Sequence, residues 1–428
     1  MILTVKPTGG LKGTLWLPAS KSYSIRAFLI ASCGGRSKIV APSDCEDAKV
    51  AMHVAKMLGT QVIPLRNNVW DVAAYRRKSR FFKINVKESG TVLRFLLPLL
   101  ALQGKNITVV GEGTLKGRPN AFLTRTLRKM GIKIWGQGSE ESVPIRIKAG
   151  RLKGGRIAID GSLSSQFISA LLISCPQLQE DTVLSLTGRK VVSTDYIVMT
   201  RQVLAESGIS IKKRDERHYL IQGNQRFKGL KHFVVPSDYG LAAFLLGAAA
   251  LTKSNVTLKG SLKDELVQAD AHIFRLLKRM GVRFQKSSKS IRIKGPFRLQ
   301  GGDFSLKDCP DLVPIMAVLA LFAEGRSRLY DIQHVRSKES DRIRDLRKEL
   351  SKVGAKTVER ANELIIDPQK AYRHHCLLDP HRDHRLAMAF GILGLKLGAH
   401  IQDSECIKKS YPGFVQDLKA LGADLSTK

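Results

Sequence analysis

Two kinds of apolar run alternate along the chain. The first opens on a polar phrase and is then apolar nearly all round: SKSYSIRAFLIAS from Ser20, ESGTVLRFLLPLLAL from Glu88, SSQFISALLIS from Ser164, SDYGLAAFLLGAAAL from Ser237, DLVPIMAVLALFA from Asp311 and DHRLAMAFGILGL from Asp383. Ser and Asp are good N-caps because their side-chain oxygens accept from backbone N–H groups that a first helical turn leaves unpaired. Asp311 is therefore expected to cap its helix. Helices apolar on every side belong in a core. The second kind mixes charged and aliphatic residues, as in DAKVAMHVAKML (47–58) and SDRIRDLRKELSKV (340–353), and predicts amphipathic, half-exposed helices. Runs of this kind close on Leu/Met/Ser/Val-Gly and pass at once into a short strand: AKMLGTQVI at Gly59, LRKMGIKIW at Gly131, LAESGISI at Gly208, LKRMGVRF at Gly281, LSKVGAKTV at Gly354 and LKALGADL at Gly422. Glycine suits the left-handed position after a helix, where a Cβ is strained. Val- and Ile-rich stretches such as KNITVVG, GGRIAID, SNVTLKG and SRLYDI predict strands.

The glycines lie 72, 77, 73, 73 and 68 residues apart, so one supersecondary unit is repeated six times. Each unit predicts a strand, a buried helix, a strand, an amphipathic helix and one or two further strands. That is too little chain to seal a core alone, and longer than the roughly 20–50 residues of most solenoid repeats. Two globules of three units each are expected.

Composition narrows the class. Of 428 residues 43% are hydrophobic, with no low-complexity run, as in a soluble globular protein. The start, MILTVKPTGG, carries no apolar stretch of signal-peptide length, and no segment reaches membrane-span length unbroken. Six scattered cysteines predict reduced, buried thiols in a cytoplasm. The net charge of +34 admits nucleic acid as a partner. The charge is spread over the chain, however, and aromatics are only 6%, which does not favour base stacking. A basic surface serving small anionic substrates fits better.

Candidate chemistry collects at helix starts. Lys21, Ser22 and Arg26 begin the first buried helix, Glu88, Ser89, Gly90 and Thr91 the second, and Ser164, Ser165 and Gln166 the third. Arg118 precedes a helix, as do Ser193 and Tyr196. Lys338, Glu339, Asp341 and Arg342 open another, and Asp383, His384 and Arg385 the last buried one. Helix N-termini offer free N–H groups and a positive dipole end, and added Lys and Arg suit phosphates and carboxylates. Ordinary capping accounts for each Ser or Asp singly, but not for Lys21, Arg26, Arg118, Lys338, Arg342, Arg385 and Lys409 together. Glu339 and Asp311 are the acid–base candidates. No Gly-x-x-x-x-Gly-Lys-Ser/Thr loop and no strand-anchored Gly-x-Gly-x-x-Gly occurs, so ATP and dinucleotide cofactors are not indicated. The stretch YRHHCLLDPHRDH (372–384) is rich in histidine, but its spacing fits no common structural zinc pattern, and no metal is expected.

The phrases LPASKSYSIRA, ESGTVLRFLLP, GRPN, DGSLSSQF, PDLVPIMAVLALFA, RSKESDRI, DHRLAMAFGIL and KKSYPGF occur in the order of the 5-enolpyruvylshikimate-3-phosphate synthases, and the chain resembles that enolpyruvyl transferase family along its whole length. The resemblance implies an α/β (α+β) fold of two domains, each of three βαβαββ-type units with buried helices, and an active site in the interdomain cleft. The expected division joins residues 1–19 to 234–428 as one discontinuous domain, with 20–233 as the second. The implied reaction joins shikimate 3-phosphate and phosphoenolpyruvate and releases phosphate, with no cofactor.

Carried over by motif, shikimate 3-phosphate would be held by Lys21, Ser22, Arg26, Ser164, Ser165, Gln166, Ser193, Tyr196, Asp311, His334 and Lys338. Phosphoenolpyruvate would be held by Lys21, Gly90, Arg118, Gln166, Arg342, Arg385 and Lys409. Asp311 would accept the 5-hydroxyl proton, and Glu339, with Lys409 or Lys21 nearby, would serve C3, oriented by His384. Ala19, Ile25, Glu88 and His334 depart from the family's usual residues; Glu88 is expected to pair with a cation or to sit in an altered loop. The retained Gly90 implies room for glyphosate. The rivals are a UDP-N-acetylglucosamine enolpyruvyl transferase, whose usual loop cysteine is missing from GEGTLKGRPN, and an RNA-binding or RNA 3′-phosphate cyclase-like repeat protein, for which no ATP motif is present. A cytoplasmic monomer is expected.

Overall fold

In a computed structural model, which describes residues 1–74 and 81–428, the chain divides into two compact units. One comprises Met1–Pro18 and Pro236–Lys428, the other Ala19–Val235. The six apolar runs are all helices, named here α1 (Lys21–Ala31), α2 (Gly90–Ala101), α3 (Ser165–Ser174), α4 (Tyr239–Leu251), α5 (Val313–Leu321) and α6 (His384–Leu397). Nearly every residue of these helices is buried, and every residue of α4 and α5 is. In the second unit α1 packs on α2 and α2 on α3; in the first, α4, α5 and α6 pack on one another.

Among the described residues, six four-stranded sheets of one design stand around the helices. In the sheet built from 155–160, 182–187, 211–213 and 218–221, the first two strands are parallel and the rest antiparallel. Strand 155–160 leads into α3, and 182–187 into the amphipathic helix Thr194–Glu206. Three sheets borrow a strand from far along the chain. Residues 231–234 run parallel to 36–40 and complete the first repeat's sheet. Residues 11–16 run parallel to 254–259 and begin the fourth. Residues 3–5 lie between 399–401 and 425–427, closing the sixth. The six repeat glycines all take φ between 83° and 100°, the left-handed cap expected of them. None of the helices among the described residues is long and apolar enough to cross a membrane.

The start of α5 differs from expectation. Pro310–Leu312 forms a 3-10 turn, the cap position of α5 falls on Leu312, and Asp311 does not cap the helix. A cap at Asp311 would draw on the N–H of the second or third residue beyond it; the third is Pro314, which has none, and the carboxylate is taken up by Arg342 and Arg385 instead. Similarly, α4 is capped by Asp238, whose carboxylate accepts from Leu241 N at 3.0 Å, while Ser237 Oγ accepts from Ser261 N.

Candidate active site

In the second unit, the start of α1 is shaped by Ser20, whose Oγ accepts from Tyr23 N. Lys21 is buried and pairs with Asp47 (Nζ–Oδ2 3.4 Å). Arg26, one turn on, is almost wholly enclosed. It donates to Ser22 O, Tyr196 O and Thr200 Oγ1 at 2.9–3.0 Å and lies against the Phe95 and Tyr196 rings. Burial pushes its guanidinium down to about 10, still charged at neutral pH. Arg26 thus ties Ser22 to Tyr196.

The starts of α2 and α3 meet: Gln166 Nε2 donates to Thr91 Oγ1 at 3.0 Å, and Ser164 Oγ caps α3 by accepting from Gln166 N. Ser165 is buried beside it. Arg118 rests on Gly90 so closely that a Cβ there would lie 2.5 Å from Nη1. Ser193 opens its helix at φ 56° without a side-chain cap bond, leaving Oγ buried with no hydrogen-bond partner among the described residues. A buried hydroxyl without a partner is costly, and an anion at this helix start would satisfy it. Glu88 accepts from Thr114 N and Thr114 Oγ1 at 2.9 and 3.0 Å, so its carboxylate closes the loop before Arg118.

Two residues here escaped the motif reading. Arg94, buried within α2, donates to Gln166 Oε1, Pro119 O and Asn120 Oδ1 and stacks on Phe167. Asn120 in turn donates to Arg118 O and Glu141 O. The signal was a single charge inside an otherwise apolar run.

In the first unit, Arg342 is the hub. Its side chain is 1% exposed and meets three carboxylates: Asp383 (Nε–Oδ2 2.8 Å), Asp311 (Nη1–Oδ1 2.9 Å) and Glu339 (Nη2–Oε2 3.2 Å). Burial opposes the charge, but the carboxylates outweigh it and hold the guanidinium well above its usual range. Asp383 is fully buried and also caps α6 by accepting from Arg385 N at 2.8 Å. Arg385 reaches back to Asp311 (Nη2–Oδ2 2.9 Å), so Asp311 is bridged by two guanidinium groups. Lys409 is buried and donates to Arg382 O at 2.9 Å. Glu339 Oε2 accepts from Arg342 Nη2 at 3.2 Å, and His384 is buried at the first residue of α6. Lys338 immediately precedes Glu339. Among the described residues, the histidine-rich stretch 372–384 brings no group of three or more metal-ligand side chains together.

His334 is buried, and its Nε2 has no hydrogen-bond partner among the described residues. Burial, then the charges of Lys338 and Arg342, push the imidazole down to about 3, so it stays neutral in the folded protein. An unfolded chain takes up that proton below about pH 6.5. The contribution to stability is therefore complete above about 6.5 and is lost as pH falls towards 3, on the order of 1 kcal/mol per pH unit. His334→Gln is expected to flatten that limb, and urea unfolding of both proteins between pH 4 and 7 measures it. Parallel curves would contradict the buried neutral imidazole.

Comparison with known proteins adds lineage to this geometry. Residues 5–418 match the family model described as EPSP synthase (3-phosphoshikimate 1-carboxyvinyltransferase). A 3-phosphoshikimate 1-carboxyvinyltransferase of Methanocaldococcus jannaschii is 35% identical over 432 residues, covering 100% of both chains. One from Methanosarcina acetivorans is 33% identical over 426 residues, covering 97% of this chain and 96% of its own. Among solved structures, EPSP synthase from Acinetobacter baumannii superposes with a TM-score of 0.79 at 23% identity over 100% of both chains. The enolpyruvyl transferase NikO from Streptomyces tendae does so at 0.78 and 18%, covering 99% of this chain and 98% of its own. These two likenesses show the two-domain fold. The chain belongs to the EPSP synthase family.

Proposed function

We propose that the protein is a 3-phosphoshikimate 1-carboxyvinyltransferase, moving the enolpyruvyl group of phosphoenolpyruvate to the 5-hydroxyl of shikimate 3-phosphate with release of phosphate. The observation that carries this reading is the carboxylate pair Asp311 and Glu339, held by Arg342 with Arg385 against Asp311, in a chain whose curated relatives bear that name. The reading is favoured over a UDP-N-acetylglucosamine transferase or an RNA 3′-phosphate cyclase by those relatives and by the family match.

Residues of both units are assigned to the reaction. Ser164, Ser165, Gln166, Ser193 and Tyr196 hold shikimate 3-phosphate together with Lys21, Ser22, His334 and Lys338, and Arg26 keeps Ser22 and Tyr196 in place. Lys21, Gly90, Arg118, Gln166, Arg342, Arg385 and Lys409 hold phosphoenolpyruvate. Asp311 takes the 5-hydroxyl proton as that oxygen bonds to C2. Glu339, assisted by Lys409, protonates C3, which gives a tetrahedral adduct. Removal of a C3 proton and departure of phosphate then restore the double bond, and the reaction balances without an oxidant or reductant. Each proton transfer supplies on the order of 10²–10⁴ in rate, and holding two reactants in register lowers the barrier by about 7–11 kcal/mol. A cytoplasmic monomer acting on these small anions is part of the proposal. The test is phosphate release from purified protein given both substrates, with either alone as control; no release above background from folded protein would overturn it.

A further inference from the structure

The fourth repeat, PSDYG, has so far contributed no residue to the chemistry. Its helix start is nevertheless built with care. Gln268 donates to Ser237 O at 2.8 Å and accepts from Tyr239 N at 3.1 Å, which clamps residues 237–239 to the turn carrying Asp270. Asp238 and Asp270 are both buried. Between them lies Gly240, in the first turn of α4. A Cβ on Gly240 would fall 2.4 Å from Asp270 Oδ2, 3.0 Å from Arg385 Nη1 and 3.1 Å from Asp238 Oδ1. The space of one missing methyl group is thus where two carboxylates and the Arg385 guanidinium converge. The other faces of that guanidinium are set by Asp311 at 2.9 Å and by the Phe244 ring at 5.8 Å.

We propose that Gly240 and Asp270 are positioning residues for Arg385 and thereby set how the protein grips phosphoenolpyruvate. The proposal rests on the assignment of Arg385 to that substrate. The second repeat uses the same device, with Arg118 seated on Gly90 at the start of α2. Backbone conformation does not demand glycine at 240, which is absent from the left-handed positions. Helix propensity favours alanine over glycine, so any loss on Gly240→Ala has to come from the Cβ displacing Asp270, Arg385 or the capping Asp238. Asp270→Asn keeps the shape of that side chain and removes its charge, so it separates electrostatic from steric positioning.

The experiment is steady-state kinetics of the full chain with each substrate varied in turn, beside thermal unfolding. Gly240→Ala is expected to raise KM for phosphoenolpyruvate about tenfold while KM for shikimate 3-phosphate and kcat move by less than about twofold, the signature of lost binding to one substrate. Asp270→Asn is expected to raise the same KM by at least about threefold. An unchanged phosphoenolpyruvate KM, or equal rises for both substrates, overturns the proposal. If Gly240→Ala does not fold, the Asp270→Asn split decides alone. Wild-type protein without turnover would instead sink the functional reading, and this inference with it; wild-type turnover with unaltered variants sinks only the inference.

Discussion

Arg342→Met is expected to destabilise the protein by about 3–5 kcal/mol and to abolish measurable turnover. The magnitude follows from what the substitution leaves behind. Breaking one partner out of a buried ion pair strands the other charge away from water, which costs roughly that much. Here one guanidinium serves Asp383, Asp311 and Glu339 together, and Asp383 is fully buried. Met matches the length and apolar packing of the arginine stem, so the loss reports the charge and its hydrogen bonds. Arg342→Lys separates the two: it keeps the charge but cannot span three carboxylates with one planar fork. It is expected to recover part of the stability and little of the activity. Denaturant unfolding of all three proteins, with phosphate release beside it, measures both effects. An Arg342→Met protein as stable as the parent would show that the three carboxylates are not held by this residue.

Glu339→Gln is expected to lower kcat by at least about 100-fold while both KM values stay within about threefold. The amide retains the side chain's shape, and its carbonyl oxygen can still accept from Arg342 Nη2, which meets Glu339 Oε2 at 3.2 Å. It cannot deliver or retrieve a proton. A second readout isolates the assigned step. If C3 is protonated and then deprotonated, the reaction in deuterated water carries deuterium into the C3 position of phosphoenolpyruvate and product. The variant is expected to lose that exchange in step with turnover. Near-normal kcat, or undiminished exchange, would remove Glu339 from the C3 chemistry.

Some of this was legible in the chain because it is local. The six repeat glycines end helices in a left-handed turn, a preference set by the residue itself and its neighbours. Helix starts at Ser20, Ser164 and Asp383 were likewise readable, since an N-cap bonds a backbone N–H two or three residues away. The cations and carboxylates at those starts marked a candidate site for anions. One local rule does not hold at Asp311: Pro314 removes one of the two N–H groups a cap could use, and the carboxylate is held instead by two arginines.

The amino-acid sequence alone therefore determined the repeat and its elements and proposed the residue types of a candidate site, because periodicity, capping and backbone strain act over a few residues. The tertiary structure decided which of those residues meet. Strand 231–234 completes a sheet begun at residue 36, and strand 3–5 closes one made near the other end of the chain. Arg342 could have neutralised any nearby acid; the fold gave it Asp311, Glu339 and Asp383. Glu88, a negative charge beside an anion site in the sequence, accepts from Thr114 N and Oγ1 in space. Nothing in the local sequence around Gly240 marks it; the fold places Asp270 and Arg385 around it. Partners such as these are chosen by packing across tens to hundreds of residues, and no pattern confined to neighbours along the chain encodes them.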